Sequence, residues 1–232
     1  MIKKILFVLL LAGTKLLTAQ ECNMYIPLEE DKGLQYQMFN SRDKLQGTQD
    51  MMIKNVEKHS DYTEAVMHVT YLDNRDRVQH EGEFGIKCKE NELIIDIQSF
   101  IDPALLEGFQ GMEIQISSSD VIIPGDIKVG DVLPDAKLEM SVSSSGMKIT
   151  DFTVNITDRK VEAMENITTP AGTFECFKIT YQNEIDTRTM GISSKRSTRA
   201  VEYFSPGVGN VRSEQYDKKD RLDSYTVLSE VY

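Results

Sequence analysis

The 232-residue chain has no tryptophan, only three histidines and three cysteines, and six prolines. These shortages remove several chemistries. His59, His68 and His80 have no second histidine at i+4 with a glutamate beside it, so the zinc-protease signature is absent. GxSxG does not occur, and the serine clusters at 117–119 and 143–145 therefore lack a nucleophile elbow. A Walker loop and a dinucleotide fingerprint are missing as well. Cys22, Cys88 and Cys176 are far apart and include no CxxC, which argues against a thiolate metal centre. The 37 acidic residues could supply an acid–base pair, but sequence singles none of them out. No catalytic residue, metal ligand or cofactor is assigned, and the chain is read as a non-enzyme.

Long apolar runs are also lacking. The longest, Ile5 to Ala12, falls short of the about 20 residues that cross a bilayer, and Lys15 interrupts its continuation to Leu17. Lys3 and Lys4 precede the run and Thr18-Ala19-Gln20 follows it, the order of a secretory signal. Residues 1–20 are therefore read as a cleaved signal peptide and 21–232 as a single domain, exported to the periplasm or cell envelope with no permanent membrane span. Glu21 precedes Cys22, where a lipid-modified cysteine needs a small residue, so a lipid anchor is not expected.

Positive charge is scarce relative to negative: 26 Lys and Arg stand against 37 Asp and Glu, a net charge of −11. Removing Lys3, Lys4 and Lys15 with the leader makes the remainder more acidic still. Such a surface repels phosphate backbones, and nucleic acid is excluded as a partner. In an oxidising compartment two of the three cysteines can pair. Cys22–Cys88 is the preferred disulfide, because it would tie down the N-terminal segment, but the sequence leaves the connectivity open.

What the chain does have is strand pattern. Phe152, Val154 and Ile156 alternate with polar residues, as do Phe177, Ile179 and Tyr181, which marks half-buried strands. Segments 66–71 and 225–228 read alike. Leu93 to Ile97 and Val121 to Ile123 are more continuously apolar, as expected where both faces are covered. Turns recur: 39–45 and 216–222 each run aromatic, polar residues with an Asp, a base, then Leu, and 71–78 has the same design with one residue more. Asp and Asn favour such turns by bonding nearby backbone. The chain is therefore expected to be mainly β, built from successive antiparallel hairpins.

One segment departs from this pattern. Asp102 can cap a helix that has Pro103 in its first position. Leu105, Leu106, Phe109 and Met112 then recur at helical spacing, while Gly108 and Gly111 keep the helix short. A short helix near 102–112 is expected, either plugging the core or acting as a lid. In the second case Phe100, Leu105, Leu106, Phe109 and Met112 would line a cavity for an apolar ligand.

Val154 to Val161 leads into Thr169-Pro170-Ala171-Gly172-Thr173-Phe174-Glu175-Cys176, and Gly207-Val208-Gly209-Asn210 follows later. With the start at Cys22 to Pro27 and the Val129-Gly130-Asp131 segment, these resemble the TapB-like family of exported bacterial proteins of unknown function. Tyr203-Phe204-Ser205-Pro206 departs from the aromatic-rich lead into GVG usual there. The resemblance implies a curved, partly open antiparallel β-barrel similar to lipoprotein-carrier folds, and no functional residues. The leading expectation is a binding or carrier module for an apolar small molecule or lipid. The alternative is a structural or interaction protein that meets another envelope protein.

Overall fold

The computed structural model describes residues 24–101, 106 and 108–232, without the side chains of Ser99 and Phe100. The signal segment 1–20, Cys22 and Leu105 lie outside the described residues. Alternation sets the strands. In β3 (Tyr62–Asp73), Thr63, Ala65, Met67 and Val69 are buried and the residues between them half-buried. In β8 (Ala136–Ser144), Ala136, Leu138, Met140 and Val142 are buried in the same way. Each strand thus gives one face to the core, as a period of two requires.

The remaining strands are β1 (Gly33–Asn40), β2 (Leu45–Lys58), β4 (Val78–Lys89), β5 (Glu92–Ile95), β6 (Glu113–Ser119), β7 (Val121–Pro124), β9 (Met147–Thr169), β10 (Gly172–Thr189), β11 (Ile192–Ser205), β12 (Gly209–Tyr216) and β13 (Leu222–Val231). All pair antiparallel in one 13-stranded sheet, in the order 6, 8, 9, 10, 11, 12, 13, 1, 2, 3, 4, 5, 7. The two edges, β6 and β7, are separated only by Asp120. The chain runs out along one edge and, one residue later, back into the other. The sheet is therefore a nearly closed barrel whose seam is a single polypeptide segment, which leaves little edge to pair with a neighbour.

The recurrent turns are one device used three times. Asn40 Oδ1 accepts from the N–H groups of Arg42 and Lys44, Asp73 Oδ1 from those of Arg75 and Arg77, and Asp217 Oδ1 from those of Lys219 and Arg221. Asp43, Asp76 and Asp220 take the left-handed conformation, with φ of 56°, 57° and 59°. The additional residue seen in sequence at 71–78 is Leu72, which belongs to β3, so all three turns share one length. They close β1–β2, β3–β4 and β12–β13.

Apolar side chains divide into two clusters. The larger is enclosed by the barrel wall and includes Leu34, Ile53, Met67, Val211 and Leu228, with Met24, Tyr25 and Ile26 inserted from the N-terminal segment. The smaller lies under β6, β8 and the first half of β9, around Leu138, Met140 and Val142. Strand β9, of 23 residues, contributes to both.

One expectation falls largely outside the described residues and another is corrected. Much of the segment read as a helix near 102–112 falls outside the described residues. Its described part carries turns closed by Phe109 N–H to Leu106 O and Met112 N–H to Phe109 O, and Gly111 has φ of 80°. Leu106, the one described residue between 102 and 107, is helical, and turns follow from Gly108; a 3₁₀ turn, Ile97–Phe100, is capped by Asp96. A pair of glycines within four residues costs a helix about 1 kcal/mol each, which explains the preference for turns. The apolar runs at 93–97 and 121–123 also differ from the expectation. β5 and β7 are short strands beside the seam in which only Leu93 and Ile123 are fully buried, and Ile97 begins the 3₁₀ turn.

Candidate functional site: an internal cavity with a polar wall

The barrel is not filled. A cavity of about 550 Å³ lies inside it, bounded on most sides by apolar groups including Met51, Val69, Phe84, Ile95, Ile123 and Phe204. Its other wall is polar and comes from consecutive strands: Arg159 on β9, Tyr181 on β10, Glu202 on β11, Asn210 and Ser213 on β12, Thr226 on β13 and Tyr36 on β1.

A bulge aims Arg159 inward. The β9–β10 register shifts between Thr180 and Gln182, and Asp158 adopts φ of 56°. A bulge of this kind redirects the next side chain. The guanidinium is buried, and its Nη1 donates to Ile122 O at 3.0 Å and to Pro134 O at 2.6 Å. It forms no ion pair with any described residue. Burial holds its pKa below the ordinary value, and Glu202, Tyr181 and Asp135 act against that shift.

Glu202 stands opposite. Its Oε1 accepts from the Tyr181 hydroxyl at 2.8 Å. Burial raises its pKa, and the Tyr181 hydrogen bond and the Arg159 charge offset only part of that. The surface this side chain keeps faces the cavity that it lines. Burial also holds the Tyr36 and Tyr181 hydroxyls well above the usual tyrosine pKa, so both remain donors. Tyr36 donates to Asn210 O at 2.8 Å, while the buried Oδ1 of Asn210 has no partner among the described residues. At the end nearest the β3–β4 turn, Tyr71 and the exposed His80 border the cavity with ring centroids 5.9 Å apart.

Three of the motif segments singled out in sequence reach this cavity, 22–27 through Tyr25, 154–161 through Ile156 and Arg159, and 207–210 through Asn210. Tyr25, from the N-terminal piece, lines it and lies against Gly209 of the GVG piece. A Cβ at Gly209 would come within 2.7 Å of the Tyr25 ring, and its φ of 104° suits glycine. The TPAGT run closes the β9–β10 hairpin, where Ala171 N–H donates to Thr169 Oγ1 and the Thr168 and Thr173 hydroxyls bond across at 2.9 Å.

Of the five residues anticipated as cavity lining, the side chains of three are described. Leu106 and Phe109 pack on the smaller apolar cluster, and Met112 is exposed. Leu105 and the Phe100 side chain are not among the described groups, although the neighbouring Ile101 does line the cavity. Cys88 is fully buried on β4, and its anticipated partner, Cys22, is outside the described residues. Cys176 is a free, buried thiol whose pKa burial pushes up to about 11.

The polar wall was not anticipated. Glu202 did leave a signal, since it is the single acid within Ala200-Val201-Glu202-Tyr203-Phe204. Arg159, inside Asp158-Arg159-Lys160, looks like a surface loop and left none. Away from the cavity, Glu57, His59 and Glu64 come together at the exposed β2–β3 turn, with ligand atoms within 4.8 Å of one another.

Two solved structures share this fold. One is a candidate exported protein with a YmcC-like fold from Bacteroides fragilis NCTC 9343, 22% identical, with a TM-score of 0.68 over 91% of this chain and 100% of its own. The other is a candidate lipoprotein from Parabacteroides distasonis ATCC 8503, 25% identical, with a TM-score of 0.70 over 92% of this chain and all of its own. No curated protein matches the sequence. The DUF3108-like family profile matches residues 29–228, from just before β1 to within β13, and the chain belongs to that family.

Proposed function

We propose that this protein is exported to the periplasm or cell envelope and works there as a binding or carrier module for an apolar ligand such as a lipid, held inside the barrel. The observation that carries the reading is the cavity of about 550 Å³. Pockets that enclose a small apolar ligand run from about 300 to about 1,000 Å³ and combine apolar walls with a few placed polar groups. Export is supported by the signal-like residues 1–20 and by two similar proteins described as a candidate exported protein and a candidate lipoprotein. The motifs at 169–176 and 207–210 support the narrower TapB-like grouping. Binding is favoured over catalysis because Glu202 pairs with the Tyr181 hydroxyl rather than with a second carboxylate. No described helix is long and apolar enough to cross a membrane. With Cys176 free, Cys22 and Cys88 are the pair left to form a disulfide.

Native mass spectrometry of the protein purified from its own periplasm tests the reading. The expected spectrum carries an adduct of lipid mass that is lost in Val69→Trp, together with one disulfide and one free thiol after denaturation. Protein of bare mass that also takes up no lipid on incubation would overturn the carrier role.

A second reading has one observation behind it. Met147 (68% exposed), Met190 (77%) and Ile192 (78%) project from neighbouring hairpin ends and would suit contact with another envelope protein. Co-purification of one defined partner, lost in Met190→Ser/Ile192→Ser, would favour it.

A further inference from the structure

The polar wall asks for a ligand of its own. Buried charges are normally paired, because an uncompensated one is costly away from water. Arg159 is 3% exposed and has no carboxylate within ion-pair distance among the described residues. Backbone carbonyls hold one nitrogen, Nη1, and so fix the plane of the group. No described acceptor takes Nε or Nη2. Two parallel donors on a rigid fork match the two oxygens of an anionic head group. Glu202 resembles it in reverse: Oε1 is held by Tyr181, and no described donor reaches Oε2. Both groups line the cavity whose remaining wall is apolar.

We infer that the barrel accommodates a single-chain amphiphile with an anionic head group, the head held by Arg159 beside Tyr181 and Glu202 and the chain lying against Met51, Val69, Phe84 and Ile123. This rests on the carrier reading and specifies its ligand. Charge balance then follows. With the anion on Arg159, the interior is neutral only when Glu202 carries a proton, and a protonated Glu202 can donate to the same head group. Binding therefore takes up a proton at Glu202 as the solution pH rises past its pKa, and affinity falls in that direction. Other charged or titratable groups facing this pair are Tyr181 from β10, Tyr36 from β1, Tyr25 from the N-terminal segment and Asp135 from the loop before β8, with His80 and Glu83 of β4 farther along the cavity. Burial first, and then the nearby Glu202 charge, hold Tyr36 and Tyr181 protonated well past the ordinary tyrosine range.

Calorimetric titration of the delipidated, leader-free protein with dodecanoate, dodecyl phosphate and dodecanol provides the test. Either anionic probe should bind roughly tenfold or more tightly than dodecanol at about pH 6, and their ranking distinguishes carboxylate from phosphate as the preferred head. The preference should vanish in Arg159→Met. In Glu202→Gln, affinity should persist and the decline as pH rises above the ordinary carboxylate range should flatten. Arg159→Met also loses bonds to β7, so the wild-type comparison of anion with alcohol decides the matter if that variant does not fold. Equal binding of all three probes would overturn the head-group inference and leave the carrier role standing. Failure of all three to bind would overturn both.

Discussion

The two apolar regions of this sheet are built from the same alternating strands and end up opposite in kind. Under β6, β8 and the start of β9, Ala136, Leu138, Met140 and Val142 pack with Phe152, Val154 and Ile156, and of these only Ile156 reaches the cavity. Within the closed part of the barrel apolar residues also predominate, yet with one polar wall they surround a cavity. The difference comes from geometry and from a few polar residues. A sheet folded over one face needs only one layer of side chains to cover it. A ring of strands encloses more volume than its inward side chains occupy, and interiors as wide as this hold a small ligand. Arg159, Tyr181 and Glu202 keep the polar side from collapsing, because closing on a buried charge costs more than leaving room beside it.

Several measurements would sharpen or break this contrast. The largest effect is expected in the filled region: Leu138→Ala should lose about 2–5 kcal/mol in urea unfolding. Val69→Ala, on the cavity wall, should lose less than half as much, because the removed methyls already border empty space. Equal losses would mean that the cavity is not empty or that the flank is not solid.

An intermediate effect belongs to Glu202. Its folded pKa is raised, so the folded state holds a proton more tightly than the unfolded chain does. Stability from this group is therefore greatest below the unfolded pKa of about 4.3 and falls as pH rises through the folded value. Glu202→Gln should remove that decline in thermal melts across the acid-to-neutral range while leaving the acid limit nearly unchanged. A decline of undiminished slope in the variant would assign it to other groups.

The smallest effect lies in neither region. Hydrogen bonds from the Arg221 side chain and backbone hold the Asp217 pKa down to about 2. Its contribution is present above the unfolded carboxylate pKa and is lost as pH falls toward about 2. Asp217→Ala should change neutral stability little, while slowing formation of the β12–β13 turn. Amide exchange at Lys219 and Arg221, whose N–H groups it accepts, is the sensitive measure.

The hairpins were legible in the sequence because turn chemistry and alternation are local. Asn40, Asp73 and Asp217 act on residues two and four positions away. The cavity was not legible. Arg159, Tyr181, Glu202 and Tyr36 come from four strands up to 166 residues apart in sequence, and ring closure alone brings them together. The 105–112 segment drew attention through its helical spacing, but spacing does not tell which of two apolar regions a residue joins. Leu106 and Phe109 joined the filled one.

The seam between β6 and β7 carries a mechanical implication. β7 is held to β5 through four residue pairs, one of the shortest ladders in the ring, and Asp120 is the only residue joining the two edges. Ile122, in that ladder, lends its carbonyl to Arg159, as does Pro134 in the loop leading to β8. The guanidinium thus bolts both sides of the barrel's weakest joint from within. On the binding mode proposed above, the residue offered to the anion is also the latch of the wall, so occupancy and closure would be coupled through one side chain. Exchange of the Ile122 and Ile123 amides would report how firmly the barrel is shut, loaded or empty.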